Sequence, residues 1–126
     1  MTNKSIASIL SKKFCYKING SLWIECDAEG LFGPGRAELL QRIEQTGSIN
    51  KAAKEMGMSH KKAWEMINEL NAHALKPLVI TRAGGKEGGG SMITEEAKSL
   101  ISFYQQLRKR FTAFLEKETT HITKSL

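Results

Sequence analysis

The sequence of 126 residues has no long apolar run and only two cysteines. No stretch approaches the roughly 20 consecutive apolar residues that a membrane helix needs. Ser and Lys interrupt the opening MTNKSIASILSKK before a signal-peptide core of about 7–15 residues could form. We therefore expect a cytoplasmic protein that does not bind a membrane. Cys15 and Cys26 form no CxxC pair, which argues against zinc and thioredoxin-like sites, so we expect no metal and no cofactor.

Acidic residues are outnumbered. The chain has 19 Lys and Arg against 13 Asp and Glu, which gives a net charge of +6 and a pI near 9.4. Such a balance favours a polyanionic partner, with nucleic acid first. The apolar fraction of 40% and the charged fraction of 25% are close to those of soluble globular proteins, and the length suits a single core.

Signatures of catalysis are also missing. The glycine-rich segment 83–90 matches neither GxGxxG nor GxxxxGK followed by Ser or Thr, because Glu87 follows Lys86. The three histidines are scattered, and no Ser or Cys lies in a nucleophile-elbow context. A nucleotide-binding enzyme is therefore the weakest alternative, and we expect no enzymatic activity.

Residues 13–26, KFCYKINGSLWIEC, hold two β-prone runs around Asn19-Gly20. Asn-Gly is the strongest short signal for a two-residue hairpin turn, so the segment predicts a β-hairpin. A type I′ turn would make Cys15 and Cys26 diagonal neighbours, which lie about 7–8 Å apart. A disulfide spans roughly 4.4–6.8 Å between Cα atoms, so we expect two free, structural thiols.

Three short helices are predicted next, over residues 36–46, 48–56 and 59–71. Ser48 and Ser59 are good N-caps for the second and third. The third helix is expected to bury one broad face. That face consists of Ala63, Trp64, Met66, Ile67 and Leu70.

Two further β-prone runs, 78–82 and 91–93, flank the glycine-rich segment and predict a second hairpin with a long tip. Thr94 can cap a last helix, and the tail after Glu118 has no periodicity, so we expect it to fray. Apolar residues of this helix recur in steps of three and four, which indicates a seam for a partner. They are Ala97, Leu100, Tyr104, Leu107, Phe111 and Phe114.

The segment 49–69 fits a helix-turn-helix motif. With Gly57 as the turn glycine, the close-contact position four residues earlier is Ala53, and the positions between the helices are apolar. These apolar positions are Met56, Met58, Ala63 and Met66. An ordinary pair of packed helices is the alternative.

The third helix is then the recognition helix, and its leading residues face outward. Between Ser48 and Lys62 four lysines stand against the single Glu55, a local net charge of +3. A solvated helix face would mix its charges more evenly. Trp64 and Trp23 are interpreted as core aromatics rather than base-stacking platforms.

A helix-turn-helix followed by a two-stranded hairpin is a winged helix. The wing would supply Arg82 and Lys86 to the DNA backbone, with glycine amides as neutral donors. The predicted DNA-binding residues are Ser48, Ser59, His60, Lys61, Lys62, Glu65, Arg82 and Lys86. The fold class is mainly α with small β-hairpins.

The runs GSINKAAKEMGMSHKKAWEMINELN and RAGGKEGGGSMIT resemble the N-terminal DNA-binding domain of ModE, the molybdate-responsive bacterial regulators. The likeness covers residues 35–114, and the winged helix of LysR-type regulators is a more distant match. The resemblance implies a homodimer on a palindromic operator in double-stranded DNA and a link to molybdate transport or molybdoenzyme genes. It assigns dimer contacts to the last helix, at Leu100, Tyr104, Leu107, Phe111 and Phe114.

We expect this chain to stand alone, without the oxyanion-binding modules of the full-length family members and with no evident effector site. The predicted organisation has a flexible start and tail around one winged-helix domain at 13–118. Its parts are the flexible N-terminus 1–12, hairpin 13–26, helix-turn-helix 48–71, wing 78–94, dimerisation helix 95–118 and flexible tail 119–126. The alternative function is a protein-interaction module that uses this scaffold without reading DNA.

Overall fold

The computed structural model describes residues 3–82 and 90–126. It is mainly helical with two small antiparallel strand pairs, as predicted. A short 3-10 turn covers Ile6–Ser8. The elements that follow are β1 (Ile24–Cys26), β2 (Glu29–Phe32), α1 (Pro34–Thr46), α2 (Ile49–Glu55), α3 (His60–His73), β3 (Val79–Thr81), β4 (Ser91–Ile93) and α4 (Glu95–Ser125).

The chain divides into two compact units. One is Leu22–Gln105, and the other combines the residues up to Ser21 with Gln106–Leu126, so α4 contributes to both. Within the part of the chain described, no helix is long and apolar enough to cross a membrane.

Helices α2 and α3 begin, and α1 and α2 end, where capping chemistry predicts, whereas α1 begins two residues before its predicted start, at Pro34. The Ser48 and Ser59 hydroxyls each accept a hydrogen bond of 3.1 Å from a backbone N–H three residues later, which caps α2 and α3. Gly47 and Gly57 adopt left-handed φ values of 71° and 68° after α1 and α2. The predicted second and third helices are therefore confirmed, with α3 extending two residues further, to His73.

The core of the Leu22–Gln105 unit lies where these helices meet the strands. Three alanines, Ala52, Ala53 and Ala63, are fully buried and allow α2 and α3 to approach closely. The rest of this core consists of Phe32, Ala37, Leu39, Leu40, Ile43, Ile49, Met66, Ile67, Leu70, Leu78, Val79, Ile93, Ala97, Ile101 and Tyr104.

An ion pair joins the start of α1 to α3. The Arg36 guanidinium donates to both carboxylate oxygens of Glu69, at 3.1 and 3.3 Å, and to the carbonyl oxygen of Leu31 at 3.0 Å. The hydrogen bonds from Arg36 lower the pKa of Glu69 below its ordinary value. This contact links the start of α1 to α3 at the edge of the core.

The expected hairpin around Asn19-Gly20 is wrong. The strand pair is β1 with β2, and its turn is Asp27-Ala28, whose φ values of 51° and 67° are both left-handed. Pairing at this place lets Phe32 enter the core, whereas residues 13–22 form no strand. Both cysteines are free thiols, and Cys15 is exposed rather than structural.

The Asn19-Gly20 segment instead packs beside α4 within its own unit. The Ile18 amide donates to the Thr119 hydroxyl at 2.9 Å, and a Cβ added to Gly20 would lie 3.2 Å from the Phe111 ring. Packing against α4, which is distant in sequence, therefore determines the conformation of this segment more than its local turn propensity does.

The tail after Glu118 does not fray, because α4 continues to Ser125. Hydroxyls of Thr119, Thr120, Thr123 and Ser125 donate to carbonyl oxygens four residues earlier, so each side chain finds its partner within the helix. Because these residues are polar, the spacing of apolar residues could not predict that the last turns are helical.

The second predicted hairpin is present. Val79 pairs with Ile93 and Thr81 with Ser91, and Thr94 caps α4 by accepting from the Ala97 amide at 3.2 Å. The tip, with Lys86 and most of its glycines, lies outside the described residues.

Candidate nucleic-acid interface

The leading turn of α3 is exposed. Ala63, Met66, Ile67 and Leu70 bury the inner face of the helix, so residues at the remaining positions face solvent. The predicted contact residues Ser59, His60, Lys61, Lys62 and Glu65 are all exposed. Neither Lys61 nor Lys62 forms an ion pair with a carboxylate among the described residues.

The Glu55 carboxylate does not neutralise the lysines near this turn. Glu55, the single acidic residue between Ser48 and Lys62, is held by Arg42 at 2.8 Å, which also contacts Glu38 at 3.1 Å. These hydrogen bonds raise the pKa of Arg42. Because Arg42 engages Glu55, the exposed lysines of α2 and α3 are left to attract an anion.

Trp64 is not a core residue, which corrects the prediction for both tryptophans. The Trp64 side chain is 38% exposed on the outer face of α3, and its Nε1 donates to Oδ1 of Asn50 at 3.2 Å. Trp23 is 44% exposed, and its ring lies over Gly30 and Gly33. His60 and Asn68 lie one turn before and one turn after Trp64 on the same face of α3. Because both are polar, they indicated that Trp64 lies on the exposed face.

The base of the wing is fastened beside α2. The Ser91 amide donates to the Gly47 carbonyl oxygen at 2.8 Å, and the Arg82 amide donates to the Gly90 carbonyl oxygen at 2.8 Å. Ser48 and Arg82, predicted from separate motifs, thereby line one cleft of about 190 Å³. Its remaining lining residues are Ile49, Asn50, Trp64, Thr81, Gly90 and Ser91.

Asn50 is the residue of this region that sequence reasoning missed. It is exposed in the first turn of α2, beside Trp64. Nothing in the local pattern distinguishes it from a solvated helix residue, because its neighbour Trp64 is 14 positions away. Lys86 lies outside the described residues, so its predicted contact stays a prediction.

The predicted dimer residues occupy different environments. Tyr104 is fully buried in its own chain: its hydroxyl donates to the Leu22 carbonyl oxygen at 2.7 Å and its ring meets Phe32 edge to face at 5.2 Å. It is a core residue and not a dimer contact, because no partner can reach it. Leu100, Leu107 and Phe111 are half-buried, and Phe114 is 55% exposed.

Among the residues described, no group of three or more His, Cys, Asp or Glu side chains could hold a metal ion.

A sequence model of bacterial regulatory helix-turn-helix proteins of the lysR family matches residues 35–98. The chain is 35% identical over 94 residues to the molybdenum transport protein ModE of Azotobacter vinelandii, covering 75% of this chain and 35% of that protein. It is 41% identical over 76 residues to the transcriptional regulator ModE of Haemophilus influenzae, covering 60% and 30%.

The DNA-binding transcriptional dual regulator ModE of Escherichia coli K12 is 43% identical over 74 residues, covering 59% of this chain and 28% of that protein. The aligned part of this chain thus spans about a third of the length of the curated relatives it matches.

Proposed function

The chain belongs to the lysR family of bacterial regulatory helix-turn-helix proteins, and on that basis we propose that it is a sequence-specific regulator of transcription that binds double-stranded DNA. The similar proteins named ModE support a role in transcriptional control linked to molybdate. In this proposal the protein carries out no catalysis and acts in the cytoplasm, where it meets its DNA.

The exposed leading turn of α3 carries this proposal. A major groove about 12 Å wide admits a helix, and lysine ammonium groups pair with guanine acceptors or with phosphate. Lys61 and Lys62 would enter the groove with Ser59 and His60 beside them. Glu65, one turn further along, can accept from a cytosine amino group.

The wing and the turn before α2 would contact the DNA backbone. Arg82 is exposed at the end of β3, and Ser48 lies in the same cleft. Lys86 would add a second charge from the wing. Contacts of this kind fix the register of the protein on the duplex without reading the sequence.

We propose further that the protein acts as a homodimer. No described residue of the unit that combines 3–21 with 106–126 is buried, although it holds Leu107, Phe111 and Phe114. A second copy would cover these side chains, since small units rarely fold around so little buried surface. A two-fold dimer presents two α3 helices and so matches a palindromic operator.

Selection of binding sites from random duplex DNA tests the function. We expect enrichment of a palindrome whose half-sites lie about 10 base pairs apart or a multiple of that spacing. Absence of binding to any duplex at low salt would refute the proposal. Unchanged DNA affinity in a Lys61→Ala, Lys62→Ala variant, with loss of a protein partner on Leu107→Ala, would favour a protein-interaction module.

A further inference from the structure

The cleft between α3 and the wing lies where one strand of DNA backbone would pass. If α3 occupies the major groove and the wing reaches the adjacent minor groove, the sugar–phosphate chain that separates the two grooves runs between them. The cleft is lined from three elements, by Asn50 of α2, Trp64 of α3 and Arg82 beside β3. Of the described residues that line the cleft, none is acidic.

Hydrogen bonds inside the protein already use two of the acceptors that line this cleft. The Gly90 carbonyl oxygen accepts from the Arg82 amide, and Asn50 Oδ1 accepts from Trp64. The Ser48 Oγ accepts from the Lys51 amide, so that helix amide is already used and the Ser48 hydroxyl hydrogen is left to donate. The cleft therefore offers the Arg82 guanidinium and side-chain N–H and O–H groups to a ligand.

Trp64 fixes the orientation of the Asn50 amide. An indole nitrogen can only donate, so the atom of Asn50 that faces it must be the oxygen. The Asn50 nitrogen then points to the other side of the amide with both of its N–H donors available. Without Trp64, the amide could rotate and offer its oxygen to the same ligand.

We propose that this cleft binds one phosphodiester of the DNA backbone, with Arg82 and the Asn50 amide nitrogen as donors and Trp64 as the positioning residue for Asn50. This inference rests on the proposed function and deepens it, because it assigns DNA contact to two residues that sequence reasoning placed elsewhere or omitted. A phosphate offers only acceptors, which matches the donors left in the cleft.

Substitutions that remove no charge give the first test. Trp64→Phe keeps an aromatic ring and removes the indole donor, while Asn50→Ala removes the amide. Each is expected to weaken binding by about tenfold, which corresponds to the lower end of the range for one hydrogen bond to a charged group. The loss should be equal on the selected palindrome and on an unrelated duplex, because a phosphate carries no sequence information.

Two further readouts separate positioning from simple packing. The Asn50→Ala, Trp64→Phe double variant should bind no more weakly than Asn50→Ala alone, since Trp64 acts through Asn50. Neither change should alter the salt dependence, whereas Arg82→Ala should reduce the log–log slope by about 0.9. Trp23→Phe makes the same chemical change on a ring outside the cleft and should bind like the wild type.

A scan of neutral methylphosphonates along the selected duplex locates the phosphate. We expect one position in each half-site where the lesion weakens binding by the wild type more than binding by Asn50→Ala or by Arg82→Ala, and where it has no further effect on the variant that carries both substitutions. Should every sensitive position affect wild type and variants alike, or should Trp64→Phe bind like the wild type, the inference is overturned while specific DNA binding stands. If the wild type binds no duplex, the proposed function and this inference fail together.

Discussion

Gly33 is the residue whose size the fold constrains most directly. A Cβ added there would lie 2.4 Å from Cδ2 of Trp23, closer than real contacts allow. The backbone itself is unstrained, because a φ of −157° is extended and suits any residue. The half-exposed Trp23 ring therefore depends on the absence of a side chain at Gly33.

Gly33→Ala should destabilise the fold by about 1–3 kcal/mol, since the added methyl group must displace the Trp23 ring. In a Trp23→Ala background the same change should cost much less, because the obstacle is gone. Urea unfolding of the two single variants and the double variant measures this coupling. Equal costs in both backgrounds would show that the ring is not the cause.

For single residues, the sequence predicted which ones cap helices or form turns, but it did not predict the exposure of the two tryptophans. Ser48, Ser59 and Gly57 act through backbone geometry within a few residues, so the local sequence predicts them. Trp64 is placed by a hydrogen bond to Asn50 across 14 positions, and a helical periodicity cannot show such a contact.

Among the elements, α3 depends on its cap, and its cap residue is also a predicted DNA contact. Ser59→Ala should cost about 1 kcal/mol of stability by leaving an amide of the first turn unpaired. Ser59→Asp should keep most of the stability and still weaken DNA binding, because it adds a negative charge beside the phosphates. Thermal unfolding and DNA titration on the same samples separate the two effects. Full DNA affinity in Ser59→Asp would place this cap outside the interface.

The Arg36–Glu69 ion pair between α1 and α3 makes the stability of the fold dependent on pH. Because the pKa of Glu69 is lowered in the folded state, its stabilising effect is complete above the ordinary glutamate pKa of about 4.3 and disappears as pH falls through the lowered folded value. The stability difference between wild type and Glu69→Gln should thus be present at pH 7 and vanish in acid. Urea midpoints from pH 7 to pH 2.5 measure it.

Glu95→Gln is the matched control for this series, since Glu95 is 86% exposed and its one ion pair within the described part of the chain is with Lys98 in the same helix. Its difference from the wild type should be small throughout. A difference between wild type and Glu69→Gln that persisted unchanged at the acid end would contradict the assignment.

The failed hairpin illustrates what element prediction from sequence omits. Asn19-Gly20 carries the stronger turn signal, yet the strands form around Asp27-Ala28. Phe32 gains burial against Tyr104 through that pairing, a contact across 72 positions that no local window contains. Helices with serine caps, by contrast, were predicted within about two residues of their ends.

For the whole molecule, the homodimer is the assembly on which the palindrome depends. Phe114→Glu should raise the dimer dissociation constant at least tenfold, because a two-fold interface repeats the residue and each buried Phe contributes about 1.5–3 kcal/mol. Ala113→Glu introduces the same charge at a neighbouring exposed position and should leave the dimer intact. Sedimentation equilibrium compares the two. Equal effects, or a monomeric wild type, would contradict the assigned face.

The central claim is that the lysines at the start of α3 enter the duplex. The most direct measurement is the affinity of the wild type and of the Lys61→Ala, Lys62→Ala variant for the selected palindrome and for unrelated DNA, over a range of salt concentrations. Each lysine that reads a base should cost about 1–3 kcal/mol on the palindrome, well beyond the loss on unrelated DNA. Equal affinities of variant and wild type for both duplexes, with the same dependence on salt, would contradict the account.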